Sequence, residues 1–170
     1  MKKFFWAVGF LGLLAGLYVT QGAADTKSTT FSVQATVSAA INVLAAPLNF
    51  GALSRVNSTF AEGGIEVEAQ DGLVYRISLD RGISNIGSGR LLVCEATPGY
   101  NLGYQLFSDS GHTTIWGDAG YGDTYPSGQP TGPLTGNGTK QQYPVYAVAE
   151  PSGSAFEGQY VDTITVTVHY

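Results

Sequence analysis

The sequence predicts an all-β sandwich, and three observations carry that reading. Apolar and polar residues alternate with a period of two along much of the chain, and no window shows helical periodicity. The alternating runs are punctuated by Gly-rich turns, in a chain with 23 Gly and 7 Pro among 170 residues. Short antiparallel strands with such turns build sandwiches rather than parallel sheets.

The chain opens on a basic pair, Lys2 and Lys3, then an apolar run from Phe4 to Val19, then small residues at Gly22, Ala23 and Ala24. That is the layout of a secretory signal peptide, with cleavage expected after Ala24. The apolar run, interrupted by glycines, is short for a membrane span of about 20 residues. Residues 25–40 follow as a polar leader and a first alternating strand, and residues 41–170 are assigned to the sandwich. Removing residues 1–24 takes away two lysines and no acid, leaving 6 Lys+Arg against 13 Asp+Glu, a net charge of −7. Such an acidic exported chain has no basic stripe for nucleic acid. With only 12% charged residues but 12% aromatic and 44% apolar, it has the material for a core.

Strand by strand, Phe31, Val33, Ala35 and Val37 alternate with Ser32, Gln34 and Thr36. A short strand is expected near Leu48–Phe50. Ile65, Val67 and Ala69 alternate with Glu66, Glu68 and Gln70, and after Asp71-Gly72 a second run carries Leu73, Tyr75, Ile77 and Leu79. Asp-Gly between alternating runs predicts a hairpin. Further strands are expected at 90–96, 100–107, 113–116 and 143–149. Gly117–Gly138 reads as one long irregular loop. At the C-terminus Tyr160, Ile164, Val166, Val168 and Tyr170 face one way, and Thr163, Thr165, Thr167 and His169 the other.

The two ends raise a packing question. The chain as given finishes on its most β-prone segment, whose outer edge must be paired, covered or exposed. Phe31–Val37, behind a polar leader, reads either as the first strand of its own sandwich or as a strand lent to a neighbour. Lending would give a heterologous contact that need not close, hence a fibre.

No catalytic constellation emerges. His112, in Asp109-Ser-Gly-His112, reads as a turn residue, and His169 as a solvent-facing strand position. No Gly-x-Ser-x-Gly precedes a helix, and no acid–base pair is evident, so no catalytic residue, metal or cofactor is expected. Asp118 and Asp123 lack the twelve-residue calcium pattern and read as turn formers. The sequons at Asn57 and Asn137 read as turns as well. Cys94, alone in Leu91-Leu-Val-Cys-Glu95, reads as a small buried apolar residue. Trp116 is expected in the core, and Tyr121 and Tyr125 on the surface.

Several segments carry a resemblance. Phe31-Ser-Val-Gln-Ala-Thr-Val37 with Pro47-Leu-Asn-Phe-Gly51, then Tyr75-Arg-Ile-Ser-Leu-Asp-Arg-Gly82, stand in order. Tyr104-Gln-Leu-Phe-Ser-Asp109 with Thr113-Thr-Ile-Trp-Gly-Asp118, and Gly158-Gln-Tyr-Val-Asp-Thr163 with the run to Tyr170, follow. Together they resemble the spore coat protein U domain family, which includes subunits of archaic chaperone–usher pili. The resemblance implies an incomplete immunoglobulin-like sandwich lacking its last strand and completed by donor-strand exchange. It implies Phe31, Val33, Ala35 and Val37 as donor residues, and Tyr160, Ile164, Val166, Val168 and Tyr170 as the strand bordering the acceptor groove. Implied partners are identical or related subunits, a periplasmic chaperone and an outer-membrane usher. The implied role is a non-enzymatic shaft subunit at the cell surface, supporting adhesion and biofilm formation. The alternative is a self-complete secreted module binding carbohydrate or another surface ligand. The chain departs from the family at its disulfide: the expected positions hold Ala40-Ile41 and Ala69.

Overall fold

In the computed structural model of the chain, the described residues are 29–36, 38, 40–84, 89–150, 153 and 155–170. The expected signal peptide and Val37 lie outside them. The chain divides into two units, Met1–Thr36 and Val37–Tyr170. Among the described residues of the first, no strand forms, and Phe31 and Val33 are exposed.

The second unit is all β, as expected. Its strands among the described residues are β1 (Ile41–Ala45), β2 (Thr59–Ala69), β3 (Val74–Leu79), β4 (Arg90–Cys94), β5 (Asn101–Phe107), β6 (Thr131–Thr135), β7 (Lys140–Ala149), β8 (Tyr160–Val161) and β9 (Val166–His169). They form a six-stranded sheet in the order β1-β2-β7-β5-β4-β8 and a three-stranded sheet in the order β6-β3-β9. Every strand pair is antiparallel. Alternation fixes which side chains meet between the sheets. Ile65, Val67, Leu102, Leu106 and Ala147 come from one sheet and Tyr75, Ile77 and Leu79 from the other, all in one buried cluster.

The Asp71-Gly72 turn is not a hairpin. Leu73 N donates to Gln70 O at 3.0 Å and Gly72 takes φ +77°, but β2 and β3 belong to different sheets. The reason is packing. A hairpin would place two fully apolar rows side by side on one sheet, whereas the corner sets them face to face, at 0–2% exposure in both rows. Gly136 holds the corner from outside, accepting from Gly72 N at 3.0 Å and donating to Leu73 O at 2.8 Å. A Cβ there would collide with the Gln70 carbonyl, so only glycine fits.

Other expectations also shift. The stretch expected as one long loop contains β6, an edge strand on β3 carrying Pro133 where an edge tolerates it. The expected strand at 113–116 reduces to two isolated bridges, Phe107–Ile115 and Trp116–Gln129. Leu48–Phe50 is not a strand. β1 was not anticipated. It places Ile41 directly opposite Ala69, the positions where the family disulfide was expected. Gln70 N donates to Ala40 O at 3.0 Å, which makes the adjacent Ile41–Ala69 a non-hydrogen-bonded pair. Such pairs sit about 4.5 Å apart at Cα, within disulfide range. The double substitution Ile41→Cys/Ala69→Cys, in a Cys94→Ser background, is therefore expected to oxidise spontaneously. It should stabilise the chain by about 3 kcal/mol, read as the difference in denaturation midpoint with and without reductant; equal midpoints would refute the register.

Candidate functional site

The second unit carries a groove of about 1040 Å³ that reaches core side chains. One wall is the segment 45–55 and the other is 155–164. Its floor is made of Ile65, Leu92, Leu102, Leu106 and Val145 from the six-stranded sheet, with Leu79 and Val166 from the three-stranded sheet. These floor residues are core side chains, all but Val166 at 1–9% exposure, so the groove reaches down to the core between the two segments. Its volume lies at the top of the range of about 300–1,000 Å³ usual for small-molecule pockets, and its lining also carries polar and ionisable side chains, among them Ser54, Arg55, Glu157, Asp162 and Thr163.

β9 borders the groove. It pairs with β3 on one side, and no strand lies on its other side among the described residues. Its outward N–H and C=O groups are therefore available to a further strand.

The C-terminal segment, expected as one strand, bends between sheets. β8 pairs with β4, Cys94 opposite Tyr160, whereas β9 pairs with β3, Leu79 opposite Val166. Asp162 fixes the bend. Its carboxylate accepts from Tyr104 Oη at 2.6 Å, Ile83 N at 3.0 Å and Thr163 N at 2.8 Å. Thr165 N donates to Asp80 Oδ1 at 2.9 Å and Asp80 N to Thr165 O at 3.2 Å. Gly82, at φ +93°, leaves the space that Asp162 fills. Burial, reinforced by the Asp162 hydrogen bond, pushes the Tyr104 hydroxyl far above its ordinary pKa, so it stays a donor. Of the residues expected to border the groove, Tyr160, Ile164 and Val166 line it. Val168 packs on the core without lining the groove, and Tyr170 is 69% exposed. Phe31, Val33 and Ala35 are exposed.

Arg90, which the sequence did not single out, ties β4 to the end of β3. It is 1% exposed. Its Nη2 donates to Leu79 O at 3.0 Å and Asp80 O at 2.7 Å, its Nε to Asp80 O at 3.0 Å, and its Nη1 to Gln105 Oε1 at 3.2 Å. The guanidinium lies 4.4 Å from the ring centre of Tyr125. Burial lowers the Arg90 pKa, opposed by Tyr104, Tyr125, Asp80 and Asp118.

Tyr125, expected at the surface, is 5% exposed, because it covers Arg90 and accepts from Gln105 Nε2 at 2.6 Å. Trp116 is in the core, its Nε1 donating to Ile77 O at 2.9 Å. Asp118 is a buried turn former, accepting from Thr124 N at 2.9 Å, Thr124 Oγ1 at 2.6 Å and Tyr125 N at 2.5 Å. His169 does not simply face solvent. Its Nε2 lies 2.7 Å from Ser78 Oγ, and Tyr121 stacks over its ring at 4.4 Å. His112 is in the expected turn, at φ 53°, its ring among Phe60, Phe107 and Tyr146. Cys94 is buried, pressed against Gly158, where a Cβ would lie 2.9 Å from its Sγ.

Asp109 closes the turn beside His112. Hydrogen bonds from Thr114 N, Thr113 Oγ1 and Thr113 N hold its carboxyl down to about 2. A carboxyl depressed on folding stabilises above its unfolded pKa of about 3.9, and that contribution drains as pH falls towards the folded value. Asp109→Asn is thus expected to destabilise at neutral pH and to flatten the loss of stability between about pH 4 and pH 2. Parallel pH titrations of the melting temperature check this; superimposable slopes would refute it.

The family model of the Spore Coat Protein U domain matches residues 27–167. Among solved structures, the chain is similar to one titled as the CsuC–CsuE chaperone–tip adhesion subunit pre-assembly complex from archaic chaperone–usher Csu pili of Acinetobacter baumannii. The TM-score is 0.57 at 22% identity, over 79% of this chain. The match spans 41% of that structure's chain, and the likeness shows a shared fold. No curated protein matches.

Proposed function

The chain belongs to the Spore Coat Protein U domain family, and from that premise we propose that it is a structural subunit of an archaic chaperone–usher pilus, assembled by donor-strand complementation. The observation that carries the reading is the groove that reaches the core beside the edge of β9, which pairs with no further strand among the described residues. A groove that reaches the core of a sandwich, with an edge strand bare beside it, is suited to accept a further strand.

The donor is the Phe31–Val37 segment of a neighbouring copy. Burying Phe31, Val33 and Val37 contributes about 1.5–3 kcal/mol each as an upper figure. Each backbone hydrogen bond to β9 adds about 0.5–1.5 kcal/mol. The exposure of Phe31 and Val33 supports a segment free to be lent. A periplasmic chaperone would cover the groove before assembly, and an outer-membrane usher would pass the subunit to the cell surface. The neighbour's printed title, which names a chaperone in complex with a pilus subunit, supports the first of these partners. Adhesion and biofilm support follow as roles of the assembled fibre.

Size-exclusion chromatography of residues 25–170 beside a version lacking residues 25–37 tests this. The longer chain is expected to form ladders or fibres, and the shorter to stay small or to need a chaperone. A stable monomer that the deletion unfolds would instead place the segment in its own sandwich and make the chain a self-complete secreted module.

A further inference from the structure

Resting on the donor-strand reading, we propose that Tyr100, Phe156 and Val161 form a second contact in the fibre, a platform on which the body of the donating copy sits. These three are 42%, 50% and 37% exposed. The rings of Tyr100 and Phe156 pack, tilted, with centroids 5.2 Å apart, and Tyr160 Oη donates to Phe156 O at 2.9 Å. Phe156 and Val161 also line the groove, so the exposed patch continues the groove onto the outer surface. Isolated exposed apolar residues need no explanation, but an aromatic pair contiguous with a binding groove has the make-up of an interface.

Chain length says what covers it. Only Ser38, Ala39 and Ala40 separate the last donor residue, Val37, from Ile41, where β1 begins. Four residue steps span at most about 14 Å, too little to hold two sandwich bodies apart. The body of the donating copy must therefore abut the mouth of the groove where Val37 leaves it.

Strand polarity says which mouth. Every strand pair in the sandwich is antiparallel, the pairing that is slightly more stable per residue. The wall of the groove runs from Phe156 through Tyr160 to β9. A donor antiparallel to β9 enters beside Tyr170 and leaves beside Phe156. The residues at 38–40 then lie over Tyr100 and Phe156. Parallel insertion would bring them out at the opposite end, where β3 begins at the exposed Val74.

Disulfide trapping tests this on the mature full-length chain in a Cys94→Ser background. Ala40→Cys combined with Tyr100→Cys is expected to give a covalent ladder of copies on non-reducing gels, while Ala40→Cys combined with Val74→Cys gives none. As a second measurement, Tyr100→Glu is expected to enter polymers to within twofold of wild type. Its fibres should break under shear to at least threefold shorter mean length. A ladder through position 74, or polymers that show neither ladder and unchanged fibre length in Tyr100→Glu, would overturn the proposal. A wild-type chain that stays monomeric would instead refute the donor-strand reading on which it rests.

Discussion

Replacing Arg90 by methionine is expected to lower stability by about 3 kcal/mol, or roughly 10 °C in melting temperature for a domain of this size. Methionine fills similar space and removes the cost of a desolvated cation, so the loss comes from the partners left behind. Leu79 O and Asp80 O take their side-chain donors from this guanidinium, and a buried carbonyl stripped of its donor costs about 1–3 kcal/mol. Tyr125 also loses the cation against its ring, worth about 1–2 kcal/mol where desolvated. Arg90→Lys should lose less, since one ammonium reaches some of these acceptors without matching the planar fork. Thermal melts of the two variants beside wild type check the ordering. A methionine variant within 1 kcal/mol of wild type would mean that the carbonyls find water and that Arg90 does not hold β4 to the end of β3.

Phe31→Asp in the full mature chain is expected to reduce polymer formation by about a thousandfold while leaving the fold of each sandwich intact. The phenyl ring contributes about 1.5–3 kcal/mol on burial, and an unpaired carboxylate carried into an apolar groove costs several kcal/mol more. Together these amount to about 4–5 kcal/mol, and each 1.4 kcal/mol is a factor of ten in the association constant. Because Phe31 is 85% exposed, the substitution should leave the melting temperature of a single copy unchanged, which separates an assembly defect from misfolding. Polymer yield by size exclusion and the single-copy melt are read together. Normal polymers would remove Phe31 from the donor strand, and a lowered single-copy melt would place it in its own core.

The misread corner at Asp71-Gly72 shows where reading the sequence runs out. The period-two pattern identified both runs and the turn, because alternation and turn chemistry are local. Whether the turn made a hairpin or a corner depended on which apolar rows meet, and Gly136, far along the chain, held the answer in its contact with Gln70 and Leu73. β6 was hidden for a similar reason, its Thr-Gly-Pro-Leu-Thr sequence having little strand character until it lies against β3. Arg90 gave no signal because its neighbours in sequence are apolar, and its partners sit in β3, β5 and the 118–125 loop. The ordered motifs were legible, and the structure explains them. Gly82 and Asp162 interlock at the bend, and Trp116 and Asp118 anchor one side of the sandwich.

By itself the sequence determined the all-β class, the separate positions of its main strands, the acidic surface and the family. Each of these rests on short-range alternation, composition or motif order, which no distant contact alters. Only the tertiary structure decided that β2 and β3 part into two sheets, that the C-terminal segment crosses between them at Asp162, and that β9 is left as a sheet edge beside the groove. Those are outcomes of which apolar faces find each other and which do not, and a face left without a partner is visible only once every other face has been paired.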